Sequence, residues 1–510
     1  MIKSLGALLE NIETLEAGGD LNAPVRGIAY DSRQVAEGDL FVAIPGSRLD
    51  GNRFIEDAVL RGAGAVLVEK APPENLSVAW ARVADCRKAL ARLAAAFYDH
   101  PSRDVQLIGI TGTNGKTTTT LLLESILKKG GYRPGVLGTL GYRWEGHELT
   151  AHMTTPESLD LHKLFHDMRR DGVSHVVMEV SSHALSLGRV EGCTFKAGVF
   201  TNLSRDHLDF HSTMEAYYEA KALLFKNYLS FNGKGSVGVV NGDDPYGKRL
   251  MEVCSGDLWS YSLTHQAARV WVKSAELTAA GIDARLCTPL GDLDIRSPLL
   301  GRLNLYNLVA AATTALALGI SREAIHEGLE AVTHVDGRLQ RVSIPPECGY
   351  QVVVDYAHTP DAMEKSLSCL REMTKGRLLV VFGCGGDRDR GKRPIMGKVA
   401  AELGDLVILT SDNPRSEAPE AILRDIEPGV KSTGLSLLGP DGPVGDGKGY
   451  TIEADRKKAI ELALSWARRE DMIFIGGKGH ETYQLISGQT FSFDDRLVVK
   501  DYFESTSRLA

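Results

Sequence analysis

Seven apolar runs in this 510-residue chain end in clusters of small and polar residues rather than in ordinary turns. LIGI (107–110) runs into TGTNGKT, HVVMEV (175–180) into SSH, and AGVFTNL (197–203) into SRDHLDFH. In the last third QVVVD (351–355) runs into YAHTP and LLVVFG (378–383) into CGGDRDRGKRP. LVILT (406–410) then runs into SDNPR and MIFIGG (472–477) into KGHE. Near-continuous apolar strands alternating with helical stretches predict parallel sheets covered by helices. Such sheets bind ligands beyond the carboxyl ends of their strands. The polar clusters therefore predict an α/β protein with two parallel-sheet domains serving one site. The first hundred residues differ in texture, mixing short strands with turns and closing on the helix CRKALARLAAAFYDHPS. Gly and paired Pro break the alternation again near THVDGRLQRVSIPPECG (333–349), so three domains are expected, at 1–102, 103–335 and 336–510.

A net charge of −8 disfavours a general nucleic-acid or acidic-membrane binder, so an anionic ligand must meet local positive charge. Cys86, Cys193, Cys254, Cys287, Cys348, Cys369 and Cys384 are odd in number and never spaced CxxC. They read as reduced thiols rather than as a disulfide framework or zinc site. The opening MIKSLGALLENIETLEAGG reads as an amphipathic helix, not a signal peptide, and no apolar run approaches a membrane span. A cytoplasmic protein without nucleic-acid or membrane partners is expected. GLSLLGPDGPVGDGKG (434–449) reads as a surface loop.

Between the strand LIGI and a following helix lie Gly112, Thr113, Asn114, Gly115, Lys116, Thr117 and Thr118. Glycines let backbone N–H groups close around phosphate oxygens, and the helix N-terminus adds a favourable dipole. Lys116 would reach the outer phosphates of a nucleotide and the Thr117 hydroxyl would ligate Mg²⁺. The strict GxxxxGK[ST] pattern fails because residue 110 is Ile, so the loop is a relative of that motif.

In LSRDHLDFHSTMEAYYEAKALLFKNY (203–228), Ser212 and Glu215 have capping-box spacing, which predicts a helix starting there. Tyr217, Ala220, Leu224, Phe225 and Tyr228 form its apolar stripe, and Lys221 falls on it. An isolated lysine there would ordinarily snorkel to water. Glu179, Asp206, His207 and Asp209, however, are metal-ligand types, and carboxylates with water suit Mg²⁺. An ammonium beside that ion would be repelled, whereas a carbamate formed with CO₂ on Lys221 could ligate it.

Together TGTNGKTT (111–118), EVSSH (179–183), TNLSRDHLDFH (201–211), Ala220-Lys221, GRLNLYN (301–307) and DYAHTP (355–360) resemble the Mur ligase family, the ATP-dependent amino-acid-adding enzymes of peptidoglycan synthesis. YDSRQV (30–35) and FVAIPGSRLDG (41–51) resemble the N-terminal hallmark of its third-residue ligases. The resemblance implies a UDP-binding N-terminal domain, a central P-loop-like ATPase and a C-terminal Rossmann-like domain. Tyr30, Ser32 and the loop Ser47, Arg48 and Leu49 would hold the uridine diphosphate end of a UDP-linked muramoyl dipeptide. Thr154, Thr155, Ser181 and Arg189 would hold the muramoyl-dipeptide and its phosphates. Met153 and Leu187 stand where relatives can carry Asn and Gln, which touches individual acceptor contacts. Thr117, Glu179, His207 and carbamylated Lys221 would position Mg²⁺, while Asn304, Asn307, Arg338 and Asp355 would complete the ATP site. Lys116, Lys221 and His207 would be catalytic. A monomer is expected.

The DNPR turn speaks to the amino acid added. A guanidinium pairs bidentately with a carboxylate, so Arg415 suits one, and Arg388 would add charge nearby. Pro414 stiffens the turn, Asp412 and Asn413 can satisfy an ammonium, Glu481 offers a second anion, and Gly477 permits close approach. The resemblance extends to this string, which implies meso-diaminopimelate as the substrate. An L-lysine-adding ligase and a folylpolyglutamate synthase-like ligase are the enzymatic alternatives; a nucleotide-dependent switch is the alternative of another class.

Overall fold

The computed structural model describes every residue except 47–49, 74–75, 230–234, 255, 440–441, 443–446 and 508–510. Ser47, Arg48 and Leu49, and most of the tip of the 434–449 loop, thus lie outside the described residues. The chain divides into two compact units. One comprises Met1–Leu203, His207–Tyr261 and Ala312–Ala324; the other comprises Ser204–Asp206, Ser262–Ala311 and Ile325–Ala510.

Besides the short pair Lys3–Ser4 and Pro24–Val25, the first unit holds a smaller and a larger run of paired strands. The smaller runs in the order Thr14–Gly18, Ala79–Val83, Ala65–Val68, Asp39–Val42, Gly27–Ala29, parallel except for the first strand. The helix Cys86–Phe97 lies where the sequence predicts it, capped by Asp85, and buries Leu90, Leu93 and Ala94 in the core of that sheet. The expected N-terminal helix is much shorter, Leu5–Leu9. Thr14–Gly18 instead pairs along Ala79–Val83, which satisfies its backbone groups in a ladder and overrides the local apolar spacing.

The larger sheet has the parallel order Pro134–Gly138, His175–Glu179, Gln106–Thr111, Ala197–Phe200, Val237–Asn241, Asp257–Ser262. An antiparallel hairpin, Gly141–Trp144 with His147–Leu149, borders it. All three expected strands of this region are present, side by side, with Gln106–Thr111 in the middle. Glu179 pairs in register with Ile110, which sets its carboxylate beside the entrance of the phosphate loop.

The helix bearing Lys221 spans Met214–Leu223 and continues as a π turn, Leu224–Tyr228. Its cap is Thr213, whose side chain accepts from Ala216 N, and not Ser212. Ser212 closes the preceding short helix Leu208–His211 at φ 64°, a left-handed conformation outside the extended region an N-cap needs.

In the second unit a six-stranded sheet runs Gln340–Val342, Gln351–Asp355, Met472–Gly476, Leu378–Phe382, Leu406–Leu409, Gly449–Ile452, parallel except at the Gln340 edge. Its four central strands are the four expected there. An antiparallel run, Val270–Thr278, Gly281–Cys287, Leu293–Ser297, precedes the buried helix Gly301–Ala317. All seven cysteines are unbridged, as their spacing implied. Among the described residues no helix is long and apolar enough to cross a membrane.

Candidate active site

The phosphate loop leaves the central strand of the first unit at Gly112, φ 151°, and enters the helix Lys116–Lys129 through Gly115, φ 88°. Both angles belong to glycine, and a Cβ on Gly112 would collide with the Thr201 hydroxyl. The loop is braced from the neighbouring strand end. Thr113 N donates to Asn202 O at 2.9 Å, Asn114 N to Asn202 Oδ1 at 3.0 Å, and Thr201 Oγ1 to Asn114 O at 2.6 Å. Thr117 and Thr118 are buried in the first helical turn. Lys116 curls back over the loop, its Nζ donating to Gly112 O at 2.9 Å and Thr113 O at 3.0 Å.

Lys221 is 1% exposed, which rules out the snorkelling alternative. Its Nζ also donates to Gly112 O, at 2.8 Å, and lies 4.7 Å from the centre of the Tyr217 ring. Tyr217 in turn shares a hydrogen bond with Thr113 Oγ1 at 3.1 Å. Two lysine ammonium groups thus converge on one carbonyl oxygen. His183, His207 and His211 gather alongside, with the His183 ring 4.9 Å from His207 and 5.5 Å from His211. Burial, then the neighbouring imidazoles and Lys221, push His211 down to about 4, and His183 is lowered for similar reasons. His207 takes a left-handed φ of 53°, a conformation costly for a non-glycine residue.

Glu179, 1% exposed, accepts from Thr139 N at 2.9 Å and from Thr139 Oγ1 at 3.2 Å. Thr139 links to Thr154 through a 3.2 Å hydroxyl contact. Thr155 donates to Glu179 O at 2.9 Å and accepts from Ser181 N at 3.1 Å, so the paired threonines and Ser181 form one network around the strand end. Arg189 donates to Thr155 O at 3.2 Å and lies 3.4 Å from the Glu157 carboxylate, which Arg87 also approaches at 3.2 Å. Toward the N-terminal sheet, Tyr30 donates to Asp160 at 2.8 Å and Ser32 is buried. Met153 is exposed and presents its carbonyl to the Tyr142 hydroxyl, while Leu187 is half-buried. Among the described residues no three His, Cys, Asp or Glu side chains converge as a metal site.

In the second unit Asn304 and Asn307 are buried one turn apart on their helix, Asn307 donating to Asn304 Oδ1 at 3.2 Å. Asp355 ends its strand buried, accepting from Leu339 N at 2.6 Å, Ala357 N at 2.9 Å and Ser366 Oγ at 3.1 Å. Burial pushes its pKa up against those three donors and Arg338. The Arg338 guanidinium stacks 4.8 Å from the Tyr356 ring centre.

DNPR is far more than a turn. Asp412 and Asn413 are buried, and Arg415 has a left-handed φ of 53° held by Arg415 N to Leu485 O at 2.9 Å and Ser487 N to Arg415 O at 2.7 Å. The Arg415 guanidinium donates to Gly386 O at 2.7 Å. Asn413 donates to Glu481 at 2.8 Å and accepts from Leu485 N at 3.0 Å. Gly477, φ 112°, lies against Asp412, where a Cβ would come within 3.2 Å of the carboxylate. Arg388 is exposed on its loop and donates to Asp387 O at 3.2 Å. Sequence reasoning missed two supports. Arg456 and Asp495 form a fully buried bidentate pair, with both contacts at 2.7 Å, and Arg456 also donates to Ser411 O and Gly476 O. This clamp ties the two strand ends that carry DNPR and KGHE. The second is Lys478, fully buried among Asp412, Asn413 and Glu481.

Residues 24–98 match the Mur ligase family catalytic domain, 110–315 the Mur ligase middle domain, and 337–479 the Mur ligase glutamate ligase domain. The UDP-N-acetylmuramoyl-L-alanyl-D-glutamate–2,6-diaminopimelate ligase of Geobacter metallireducens is 45% identical over 97% of each chain. A solved structure of an enzyme of that name is 33% identical, covers 99% of this chain and 100% of its own, and superposes with a TM-score of 0.71. A folylpolyglutamate synthase of Mycobacterium tuberculosis, solved with ADP and AMPPCP, shares the fold at 18% identity and a TM-score of 0.60, over 76% of this chain and 92% of its own. A phosphate loop braced by Asn202, a buried lysine on its carbonyl and matches to three successive Mur ligase domains have one explanation: the chain belongs to the Mur ligase family.

Proposed function

We propose that this protein is the ATP-dependent ligase that joins meso-2,6-diaminopimelate to the D-glutamate γ-carboxylate of UDP-N-acetylmuramoyl-L-alanyl-D-glutamate, in peptidoglycan precursor synthesis. The observation that carries the reading is the DNPR turn, where a guanidinium and two carboxylates are held on a fixed backbone. A distal α-amino-acid centre, one ammonium and one carboxylate, has the matching pattern; the distal end of L-lysine has the ammonium alone. The full-length relatives named for the same reaction support it.

The γ-carboxylate of the acceptor attacks the γ-phosphorus of ATP, giving an acyl phosphate and ADP. The amine of the incoming amino acid then attacks the acyl carbon, and phosphate leaves as the amide forms. The loop N–H groups and Lys116 hold and neutralise the phosphates, in a transfer whose catalysis is positioning and electrostatics. Asn304, Asn307, Arg338 and Asp355 are further nucleotide-binding candidates in this reading. The hard oxygens of Thr117 and Glu179, both buried, fit Mg²⁺, and these two with His207 and a carbamate on Lys221 would hold it. Mg²⁺ there would supply Lewis-acid neutralisation of the phosphate charge. The carbamate is motivated by the two ammonium groups on Gly112 O, because converting one to an anion turns repulsion into attraction. The domain limits 1–102, 103–335 and 336–510 belong to the same proposal, as do cytoplasmic location and a monomer.

The test offers diaminopimelate and L-lysine in competition, with UDP-linked dipeptide and ATP, and measures the two tripeptide products. Predominance of the lysine product, or ATP turnover without acceptor, overturns the assignment. The acceptor site is tested separately. Arg189→Ala and Ser32→Ala should each weaken binding of the UDP-linked dipeptide about tenfold or more, the loss of one charge-assisted or buried hydrogen bond. Arg87 continues to pair with Glu157 in the Arg189 variant, so the fold should hold. Unchanged affinity by calorimetry in both variants removes these residues from the acceptor site.

A further inference from the structure

Lys478 is the one member of the KGHE cluster whose ammonium is fully enclosed by the groups of the amino-acid pocket, and its side chain is 0% exposed. Its Nζ lies 3.2 Å from Glu481 Oε2, 3.8 Å from Asp412 Oδ1, and donates to Asn413 Oδ1 at 3.1 Å. The Tyr483 ring lies beside it, 5.6 Å from centre to nitrogen. Two consequences follow from elementary chemistry. An amide oxygen that accepts from both an ammonium and Leu485 N cannot exchange places with its nitrogen, so Asn413 Nδ2 must point at Glu481. One ammonium between two carboxylates also leaves that group with a single negative charge, enough for one substrate ammonium.

We propose that Lys478 is a positioning residue for the incoming amino acid: it holds Asp412 as a carboxylate beside Glu481 and fixes the Asn413 amide, so that the pair accepts one ammonium of the substrate. This inference rests on the reading of the DNPR cluster as the amino-acid pocket.

The surrounding charges make Lys478 the cation that matters. Arg456 also faces Asp412, but it is spent on Asp495 in a bidentate pair. Tyr356 and Tyr483 also face the pair, His480 lies against Tyr356, and Arg415 is directed to Gly386 O. Burial already raises Asp412, with Glu481 and Asp495 adding to it and Arg456 and Lys478 opposing it. Without that ammonium Asp412, already raised by burial and by Glu481, would rise further and keep its proton over more of the pH range. That proton would occupy the place of the substrate ammonium.

The experiment is the pH profile of kcat/KM for diaminopimelate between pH 6.5 and 9, on the full-length enzyme, for Lys478→Met and Lys478→Arg. In Lys478→Met, kcat/KM at pH 7 should fall about tenfold or more. It should then recover part of the loss as rising pH removes the competing proton, through an ionisation absent from the unmodified enzyme. KM for ATP should stay within about twofold, and Lys478→Arg should restore a profile without that ionisation. The double variant Lys478→Met/Glu481→Gln removes one charge of each sign, and serves also if the single variant does not fold. Its kcat/KM should be low but without the new ionisation. A loss independent of pH in Lys478→Met, unchanged kcat/KM, or a new ionisation persisting in the double variant overturns the proposal. Failure of the unmodified enzyme to use diaminopimelate would instead overturn the functional reading beneath it.

Discussion

Lys221→Ala should lower turnover about a hundred- to a thousandfold, the loss typical of removing one preorganised electrostatic group from a transferring phosphoryl site. The side chain is buried and its Nζ shares Gly112 O with Lys116, on the loop proposed to cradle the phosphates. Two unit charges on one oxygen, at 2.9 and 2.8 Å from it, lie within about 6 Å of each other and repel by about 3 kcal/mol at an effective dielectric constant near 20. In the proposed reading a carbamate on Lys221 would relieve that repulsion and supply an anion for Mg²⁺. Acetate or formate should partly restore turnover in Lys221→Ala, by occupying the space of the carbamate oxygens. Lys221→Arg, which cannot be carbamylated and keeps the charge, should not be rescued. Retention of more than about a tenth of the activity by the alanine variant in steady-state assays would return Lys221 to a structural role.

Much of this site is legible before any coordinates, because its geometry follows from local rules. Strand, glycine loop and helix occupy consecutive residues at 106–129, and the spacing of the apolar stripe places Lys221 inward on its helix. Where two local solutions compete, the reading slips by one residue. Ser212 and Thr213 are both good caps, and only the left-handed turn that ends the preceding helix decides for Thr213. The supports of the DNPR turn are illegible for a different reason. Arg456 and Asp495 meet across 39 positions, and neither stands in a recognisable motif. Lys478 stands in one, yet nothing in KGHE says whether its ammonium points to solvent or into the pocket. Asn413 shows the cost of reading residues singly. Its amide oxygen accepts from Lys478 and Leu485 N and one of its N–H groups donates to Glu481, contacts that no motif announces.

Arg415→Ala should raise KM for diaminopimelate about thirty-fold to several thousand-fold while leaving KM for ATP nearly unchanged. The range corresponds to about 2–5 kcal/mol, the usual effect of removing one partner of a desolvated charge-assisted contact. The mount explains why the effect should fall on one substrate. Residue 415 is tied through both its N–H and its carbonyl to the segment 485–487, and one guanidinium nitrogen is anchored on Gly386 O. A guanidinium has five N–H donors in a fixed plane, so the anchored arm aims the remaining donors instead of consuming them. L-lysine brings no distal carboxylate to meet them, which leaves the guanidinium unsatisfied and predicts discrimination of the same order in the unmodified enzyme. Arg415→Lys should recover little, because a single ammonium on a flexible stem reproduces neither the anchor nor the bidentate contact. If Arg415→Ala accepts both amino acids as the unmodified enzyme does, discrimination must lie elsewhere in the pocket, and the left-handed backbone at 415 would then serve only to close the turn against Leu485.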